Sequence, residues 1–251
     1  MSLFLLLGFS LAGVPAQATI ATAPTASHTQ PIAQAVQKPA SEPSTATAAT
    51  LALEDLPPGF TKLPPEISAQ LASRMSSLGQ QLGQGGLKPE NFFAFVNPQK
   101  FQIVLGFTTK LPDQPAQASF DASIQQLEKP EFQQRMQSLL QEQLKTLGGA
   151  KVTECRALPG LNNLANASTA LTIGLSMRGQ PLRMDVAAFR RNALGAFTGV
   201  MYGNEAPPEV GVGDVARKLD GRLVKLSAVN NRTQERNAIK PSAILLDIAS
   251  K

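Results

Sequence analysis

Residues 182–226 read LRMDVAAFRRNALGAFTGVMYGNEAPPEVGVGDVARKLDGRLVKL, and this stretch decides the fold. Alternate residues from Leu182 to Phe189 are apolar, which is the period of two that places one apolar row on one face of a sheet. The alternation predicts a strand that is buried on one face only. The apolar row consists of Leu182, Met184, Val186 and Ala188, and the opposite row of Arg183, Asp185, Ala187 and Phe189.

A second apolar run follows at Leu194–Tyr202. Both of its alternating rows are apolar, and Gly195 and Gly199 flank Phe197, which is typical of a central strand that a neighbour approaches closely. The polar residues 190–193 form a short connection between the two runs. The spacing therefore predicts a hairpin.

An amphipathic helix is predicted after the breaker Pro207-Pro208. Gly213 or Asp214 opens it, and apolar residues then recur at helical spacing. One face of the helix must pack on an apolar surface, and the hairpin is the nearest. The apolar positions are Val215, Leu219, Leu223 and Leu226.

Upstream, a helix begins near Pro65 and ends at Gly83, and a hairpin turns at Asn97–Lys100. The first strand of that hairpin is Phe92–Val96. In its second strand, the expected buried row is Phe101, Ile103, Leu105 and Phe107.

Helical spacing continues over Ser119–Leu147 with an interruption at Pro130, which fits either one kinked helix or two consecutive helices. Gly148-Gly149 is the expected end. Val152–Ala157 and Thr169–Met177 have strand patterns, and the single cysteine, Cys155, lies in the first of them.

The order of elements is therefore helix, two strands, helix, four strands, helix. Short turns join antiparallel strands, so we expect an α+β fold with an antiparallel sheet of about six strands flanked by helices, an α/β/α sandwich. A doubly wound nucleotide fold is not expected. The glycine pattern at Gly211–Ala216 follows the last strand and precedes no parallel strand, so it is interpreted as the entry to a helix.

Four segments are expected along the chain. Residues 1–18 have an apolar run and an Ala-Gln-Ala site typical of a signal peptide. Residues 19–53 are a linker rich in Ala, Thr and Pro, too poor in large apolar side chains to fold. Residues 54–228 form one domain, and residues 229–251 a basic C-terminal tail. Export to a periplasm or thylakoid lumen follows from the signal peptide.

The residue inventory argues against an enzyme. The chain has one His, one Tyr, one Cys and no Trp, and His28 lies in the linker. Most nucleophile and base pairs therefore cannot be assembled. A hydrolase that uses only carboxylates would need two facing acids, and Asp185 and Asp214 lie in different contexts. We predict no catalytic residue, no cofactor and no metal site; the acids Glu205, Glu209 and Asp214 are interpreted as a solvated loop.

Charge gives the main functional signal. Residues 215–251 carry eight Lys and Arg against three Asp and Glu, a balance of +5 that equals the net charge of the whole chain. Such an excess favours an anionic partner, either a protein partner or an anionic membrane surface, and nucleic acid is not expected. The alternative interpretation is that these basic residues belong to an ordinary solvent-exposed helix face and to an unstructured C-terminal end. The candidate contact residues are Arg217, Lys218, Arg222, Lys225, Arg232 and Arg236.

The unit formed by an apolar strand, Phe189-Arg190-Arg191-Asn192, a second apolar strand, Gly213-Asp214 and Ala216-Arg217-Lys218-Leu219 resembles the end of the PsbP-like family and of extracytoplasmic sensor-type domains. The resemblance covers roughly residues 92–226 by element order. It implies a helix-flanked antiparallel sheet and a role in assembling or stabilising a photosynthetic membrane complex. The family's early Tyr-Pro-x-x-Trp segment has no counterpart in a chain without Trp.

Three functional hypotheses remain. The first is an exported, non-enzymatic binding or accessory protein, monomeric when free, that contacts a protein complex at a membrane surface. The second is a sensor or carrier that holds a small molecule in an apolar pocket between sheet and helices. The third is the carboxylate-only hydrolase.

Overall fold

A computed structural model describes residues 49–81, 89–145 and 150–238, with the side chains of residues 75, 77–81 and 229–238 left out. These ranges belong to one unit, Pro43–Lys251. The predicted signal peptide, most of the linker, the glycine ends at Gly83 and Gly148-Gly149, and residues 239–251 lie outside the described residues.

Seven strands form one sheet in the order β1-β2-β3-β7-β6-β5-β4, and every neighbouring pair is antiparallel. The predicted α+β class is confirmed. The count exceeds six because β1, which was not predicted as a strand, pairs with β2. The strands are β1 Thr61–Lys62, β2 Phe93–Asn97, β3 Gln102–Lys110, β4 Ala150–Ala157, β5 Ala167–Met177, β6 Gln180–Arg191 and β7 Leu194–Gly203.

Four helices are described, two of them from the single stretch that contains Pro130. Asp113 caps the first of these two by accepting a bond from the Ala116 N–H at 2.8 Å, and Pro130 begins the second. Of the two alternatives, two consecutive helices is therefore correct. The helices are α1 Pro65–Gln81, α2 Gln114–Gln126, α3 Pro130–Leu144 and α4 Val212–Ala238.

Helices cover both faces of the sheet. The predicted apolar face of α4 is confirmed, since Val215, Leu219 and Leu223 are fully buried against one face. On the other face, Phe120 of α2 and Met136 of α3 are buried in a second cluster, and α1 packs in a third. The result is a three-layer α/β/α arrangement.

β6 is buried on both faces, so the prediction of a strand with one exposed face is wrong. Ala187 and Phe189, from the row that alternates with the predicted apolar one, are 1% and 0% exposed in the α4 cluster. Ala188, from the opposite row, is 1% exposed on the side of α2. The alternation of apolar and polar residues describes a single strand. Whether the second face of that strand is buried depends on whether a second layer of helices packs on it.

Two consecutive arginines end β6 and bind opposite helix layers. Arg190 donates two bonds of 2.6 Å to the carboxylate of Asp121 in α2. Arg191 donates bonds of 2.7 and 2.6 Å to Asp220 in α4. Both arginines were predicted to lie in the connection, but they pair within the sheet and leave only residues 192–193 as the turn. Because successive side chains of a strand point to opposite faces of the sheet, one guanidinium group lies on each face.

Phe101 is 57% exposed, so its place in the predicted buried row is wrong. It precedes the first residue of β3 and has a φ of 49°, which turns its side chain out of the strand pleat. Asn97 fixes the turn through bonds from the N–H groups of Gln99 and Lys100 to its side-chain oxygen, at 3.1 and 3.2 Å. The predicted hairpin is present, but its turn lies at residues 98–101, one residue later than predicted, because Asn97 pairs with Gln102 as the last residue of β2.

A β-bulge interrupts β4 between Val152 and Glu154. Gly174 lies opposite, and a Cβ there would come within 2.4 Å of the Thr153 hydroxyl and 2.7 Å of the Glu154 side chain. Both side chains of the bulge therefore lie over this glycine, as two bulged residues oppose one partner.

We expect Gly174→Ala to lower the free energy of unfolding by about 1 to 3 kcal/mol, because the new methyl group overlaps both side chains of the bulge. Urea denaturation measures the change. Gly203→Ala is the matched control, since a Cβ there meets no atom within 4 Å. Equal effects of the two substitutions would contradict the role assigned to Gly174.

Candidate functional site

α4 continues past Leu226, the last position of the predicted apolar spacing, to Ala238. Its backbone thereby includes the first part of the predicted tail. Five of the six candidate contact residues fall at positions i, i+4, i+7, i+14 and i+18 of this one helix. At 3.6 residues per turn they occupy an arc of about 80°. We call this set the basic stripe: Lys218, Arg222, Lys225, Arg232 and Arg236.

Part of the basic stripe is engaged within the protein. Arg222 donates to Asp55 at 2.5 Å and to Glu54 at 2.9 Å, and Lys218 donates to the carbonyl oxygen of Asp55. Lys225 is exposed. Only the helical backbone is described at Arg232 and Arg236. The sixth candidate, Arg217, lies off the stripe and pairs with Asp214 at 3.1 Å.

The acids that meet the stripe belong to residues 49–60, which we call the N-terminal strap. Its apolar side chains enter the α4 cluster, with Leu51 2% and Phe60 5% exposed. Ala49 is also buried, and its carbonyl oxygen accepts a bond from Thr108 at 3.2 Å. Residues 49–53 were predicted to belong to the linker, but here they pack in the fold.

Asp55 holds the strap to α4. Its Oδ2 accepts bonds from the Ala52 N–H at 2.9 Å and from Arg222 Nε. Glu54 is more exposed; its own backbone N–H, followed by the Arg222 guanidinium, lowers the pKa of its carboxyl group. The strap therefore depends on one sheltered carboxylate and one exposed carboxylate.

Asp55→Asn should lower the free energy of unfolding by about 1 to 2 kcal/mol, because a charged acceptor of two bonds becomes neutral. Glu54→Gln serves as the matched control and should change stability little, since exposed ion pairs contribute little. Urea denaturation of both variants provides the test. A larger loss from Glu54→Gln would be evidence against this assignment.

A buried polar network crosses the sheet on the face that α4 covers. Asp185 of β6 is 8% exposed and accepts bonds from the Thr172 hydroxyl at 2.5 Å and the Tyr202 hydroxyl at 2.9 Å. Both carboxylate oxygens are thus bonded. Burial, and then the bond to Asp185, raises the pKa of Tyr202 to about 12, so the phenol remains a donor at neutral pH.

Arg183 and Glu154 extend this network toward the edge of the sheet. Arg183 donates to Glu154 at 3.2 Å, and Arg156 donates to the same carboxylate at 3.4 Å. Register places Glu154, Gly174, Arg183 and Tyr202 in one row across four strands. The Arg183 and Glu154 side chains are 30% and 35% exposed, so this end of the network is partly in contact with solvent.

The sequence analysis missed this network because Asp185 and Arg183 were assigned to a solvent-facing row. A signal existed in the sequence: the single Tyr of the chain lies in a strand, and a buried tyrosine hydroxyl needs an acceptor. The carboxylates named for a hydrolase are not brought together. Asp185 bonds within the network, whereas Asp214 lies in the first turn of α4 and pairs with Arg217.

Tyr202 should titrate near pH 12 in the folded protein and near pH 10 in the denatured chain. Because the folded pKa is the higher one, this contribution to stability is complete below about pH 10 and is lost as the pH rises through 12. Tyrosinate absorbance measures the pKa directly, since the chain has one Tyr and no Trp. A folded midpoint near pH 10 would show that the hydroxyl is not held by Asp185.

Two open depressions lie on the described surface. One, of about 280 Å³, lies at the junction of α2 and α3 beside Phe132 and Arg135. The other, of about 480 Å³, lies where β4 ends and β5 begins. The space between the layers is occupied by the three apolar clusters.

No family model matches this chain, and no curated protein is significantly similar to it. Within the described ranges, none of the helices is both long enough and apolar enough to cross a membrane. The same ranges contain no group of three or more His, Cys, Asp or Glu side chains that could hold a metal ion.

The acids of the loop that leads into α4, Glu205, Glu209 and Asp214, are exposed as predicted, but the loop is held by a buried side chain. Gln102, which is 0% exposed, donates to the carbonyl oxygen of Val210 at 2.6 Å and accepts from the Glu209 N–H at 2.9 Å. Asn97 donates to the Glu209 carboxylate at 2.8 Å. The predicted group of loop acids is thus split: Glu209 is tied to the β2–β3 hairpin, and Asp214 pairs with Arg217.

Proposed function

We propose that this protein is an exported, non-enzymatic accessory protein that contacts a protein complex at a membrane surface through α4. The observation that carries the proposal is the continuity of α4 to Ala238. In an unstructured tail, Arg232 and Arg236 would sample many positions relative to Lys225. In one helix they follow Lys225 along a single stripe, so one partner surface can meet all three.

The contacts within the protein divide the six candidates into two groups. Arg222 and Lys218 hold the N-terminal strap, so their loss would change the fold as well as any contact. Lys225, Arg232 and Arg236 lie farther along α4. These three are the residues proposed to meet a partner, together with Arg217, whose exposed pair with Asp214 contributes little.

The setting of this contact rests on the expected signal peptide and linker, which would tether the folded domain in a periplasm or thylakoid lumen. The resemblance to PsbP-like proteins supports a photosynthetic membrane complex as the partner. An acidic surface on that complex complements the basic stripe, and attraction between exposed charges weakens over a distance of about 10 Å at moderate salt.

Replacing Lys225, Arg232 and Arg236 together by Gln should weaken membrane association about 100-fold. Each basic residue near an anionic surface contributes about 1 kcal/mol, and three such contributions correspond to roughly two orders of magnitude in affinity. The measurement is affinity capture of membrane complexes from gently solubilised envelope membranes by the tagged domain and its linker, over a series of salt concentrations.

The matched control replaces Lys100, Lys129 and Arg178 by Gln. These are three exposed residues outside α4, and the net charge changes by the same amount. The proposal requires that the control retains a defined complex that the α4 variant loses. It fails if both variants retain the complex. Equal binding to protein-free vesicles of anionic lipid would identify lipid as the partner in place of a protein.

A further inference from the structure

Two acids of the N-terminal strap occupy the start of the basic stripe. Arg222 donates from Nε to Asp55 at 2.5 Å and from Nη2 to Glu54 at 2.9 Å. Both ligands of this guanidinium are carboxylates, and both come from one short 3-10 turn, Leu53–Asp55. The strap therefore binds Arg222 with the same chemistry that an acidic partner would use.

The two carboxylates differ in how firmly they are held. The Asp55 side chain is 20% exposed, and its Oδ2 also accepts from the Ala52 N–H at 2.9 Å. The Glu54 side chain is 74% exposed and bonds Arg222 through one oxygen, Oε1. Because an exposed ion pair of this kind contributes little to stability, Glu54 can leave Arg222 without disturbing the fold.

The strap backbone on either side of Glu54 is fixed independently of this ion pair. Leu51 is 2% and Leu56 is 8% exposed, and both belong to the apolar cluster under α4. Lys218 also donates to the carbonyl oxygen of Asp55. Departure of Glu54 from Arg222 is therefore a movement of one side chain, with the strap itself in place.

Departure of Glu54 lengthens the accessible part of the basic stripe. The Arg222 side chain is 24% exposed while Glu54 is bound. Lys225, which is exposed, follows three residues later, about 4.5 Å along the helix axis and about 60° around it. A carboxylate that replaces Glu54 on Arg222 therefore comes within reach of Lys225 as well.

We propose that Glu54 is an intramolecular competitor that covers Arg222 until an acidic protein partner replaces it. The incoming carboxylate takes the place of Glu54 on Nη2, while Asp55 keeps its bond to Nε. The contact then starts at Arg222 and continues along the rest of the basic stripe. Because this competition takes place on the surface through which α4 is proposed to bind, it rests on that proposed function.

The competition selects among acidic partners. A surface with a single carboxylate must displace Glu54 and gains only one equivalent ion pair in return. A surface with a row of carboxylates displaces Glu54 and also meets Lys225, Arg232 and Arg236. A competing interaction that disfavours the weaker partner is a general source of specificity.

Titration of the protein with an acetylated hexaglutamate peptide tests the proposal. Six extended residues span about 20 Å, which matches the distance of about 21 Å along α4 from Arg222 to Arg236. Glu54→Gln removes the competitor and should strengthen binding about threefold to fivefold at low salt, the effect expected of one exposed ion pair. Calorimetry measures the affinity.

Glu66→Gln is the matched control. Glu66 is an exposed acid in the first turn of α1, on the other face of the sheet, and its replacement changes the net charge by the same amount. This variant should bind the peptide as the unaltered protein does. In an Arg222→Gln background, Glu54→Gln should have no effect, because the group that it covers is gone.

Amide NMR shifts on addition of the peptide locate the change. They should appear at Glu54 and Lys225 and leave Leu51 and Leu56 unchanged, because the apolar side chains of the strap stay in the core. Equally large shifts at Leu51 and Leu56 would mean that the whole strap leaves, which contradicts the exchange of one side chain.

The proposal is overturned if Glu54→Gln shows no saturable binding, if it binds the peptide no better than Glu66→Gln does, or if its gain persists in the Arg222→Gln background. A gain for vesicles of phosphatidylglycerol without a gain for the peptide also overturns it, since the displacing group is then a lipid phosphate.

Membrane capture separates this failure from failure of the proposed function. If the α4 variant still retains the complex, the proposed function fails. If that variant loses the complex while Glu54→Gln and Glu66→Gln bind the peptide equally, only the competition by Glu54 fails.

Discussion

Burial of β6 on both faces is the constraint on which the rest of the structure depends. Its residues pack alternately against α4 and against α2, and its last two arginines bind one carboxylate in each of those layers. A charged pair of this kind is favourable only when both partners are held in register. Arg190 and Arg191 therefore fix the position of both helix layers along the strand.

α4 connects this core to the surface. Its inner face is buried on the sheet, Asp220 meets Arg191, and Arg222 holds the N-terminal strap through Asp55. The strap joins the fold to the expected linker, and the basic stripe continues along the same helix. The first half of α4 is therefore held by both the sheet and the strap.

Much of the fold was predictable because hydrophobic period is a local property. The two runs at residues 182–189 and 194–202, the apolar face of α4 and the hairpin of β2 and β3 were confirmed. Errors arose where a second chain segment decides burial, or where a single residue leaves the strand conformation. Ala187 and Phe189 are covered by a helix far along the chain, and Phe101 lies outside the pleat because of its own φ.

The candidate sites depended more on tertiary structure than the fold did. Sequence alone identified the excess of basic residues near the C-terminus, since charge is a matter of composition. Only the structure decided that Arg222 and Lys218 bind the strap, that Asp185 is buried with Tyr202, and that Gln141 bonds the backbone of β4 at Ala150 and Val152. These contacts join residues far apart in the chain, and no local pattern encodes which distant groups a fold brings within hydrogen-bond distance.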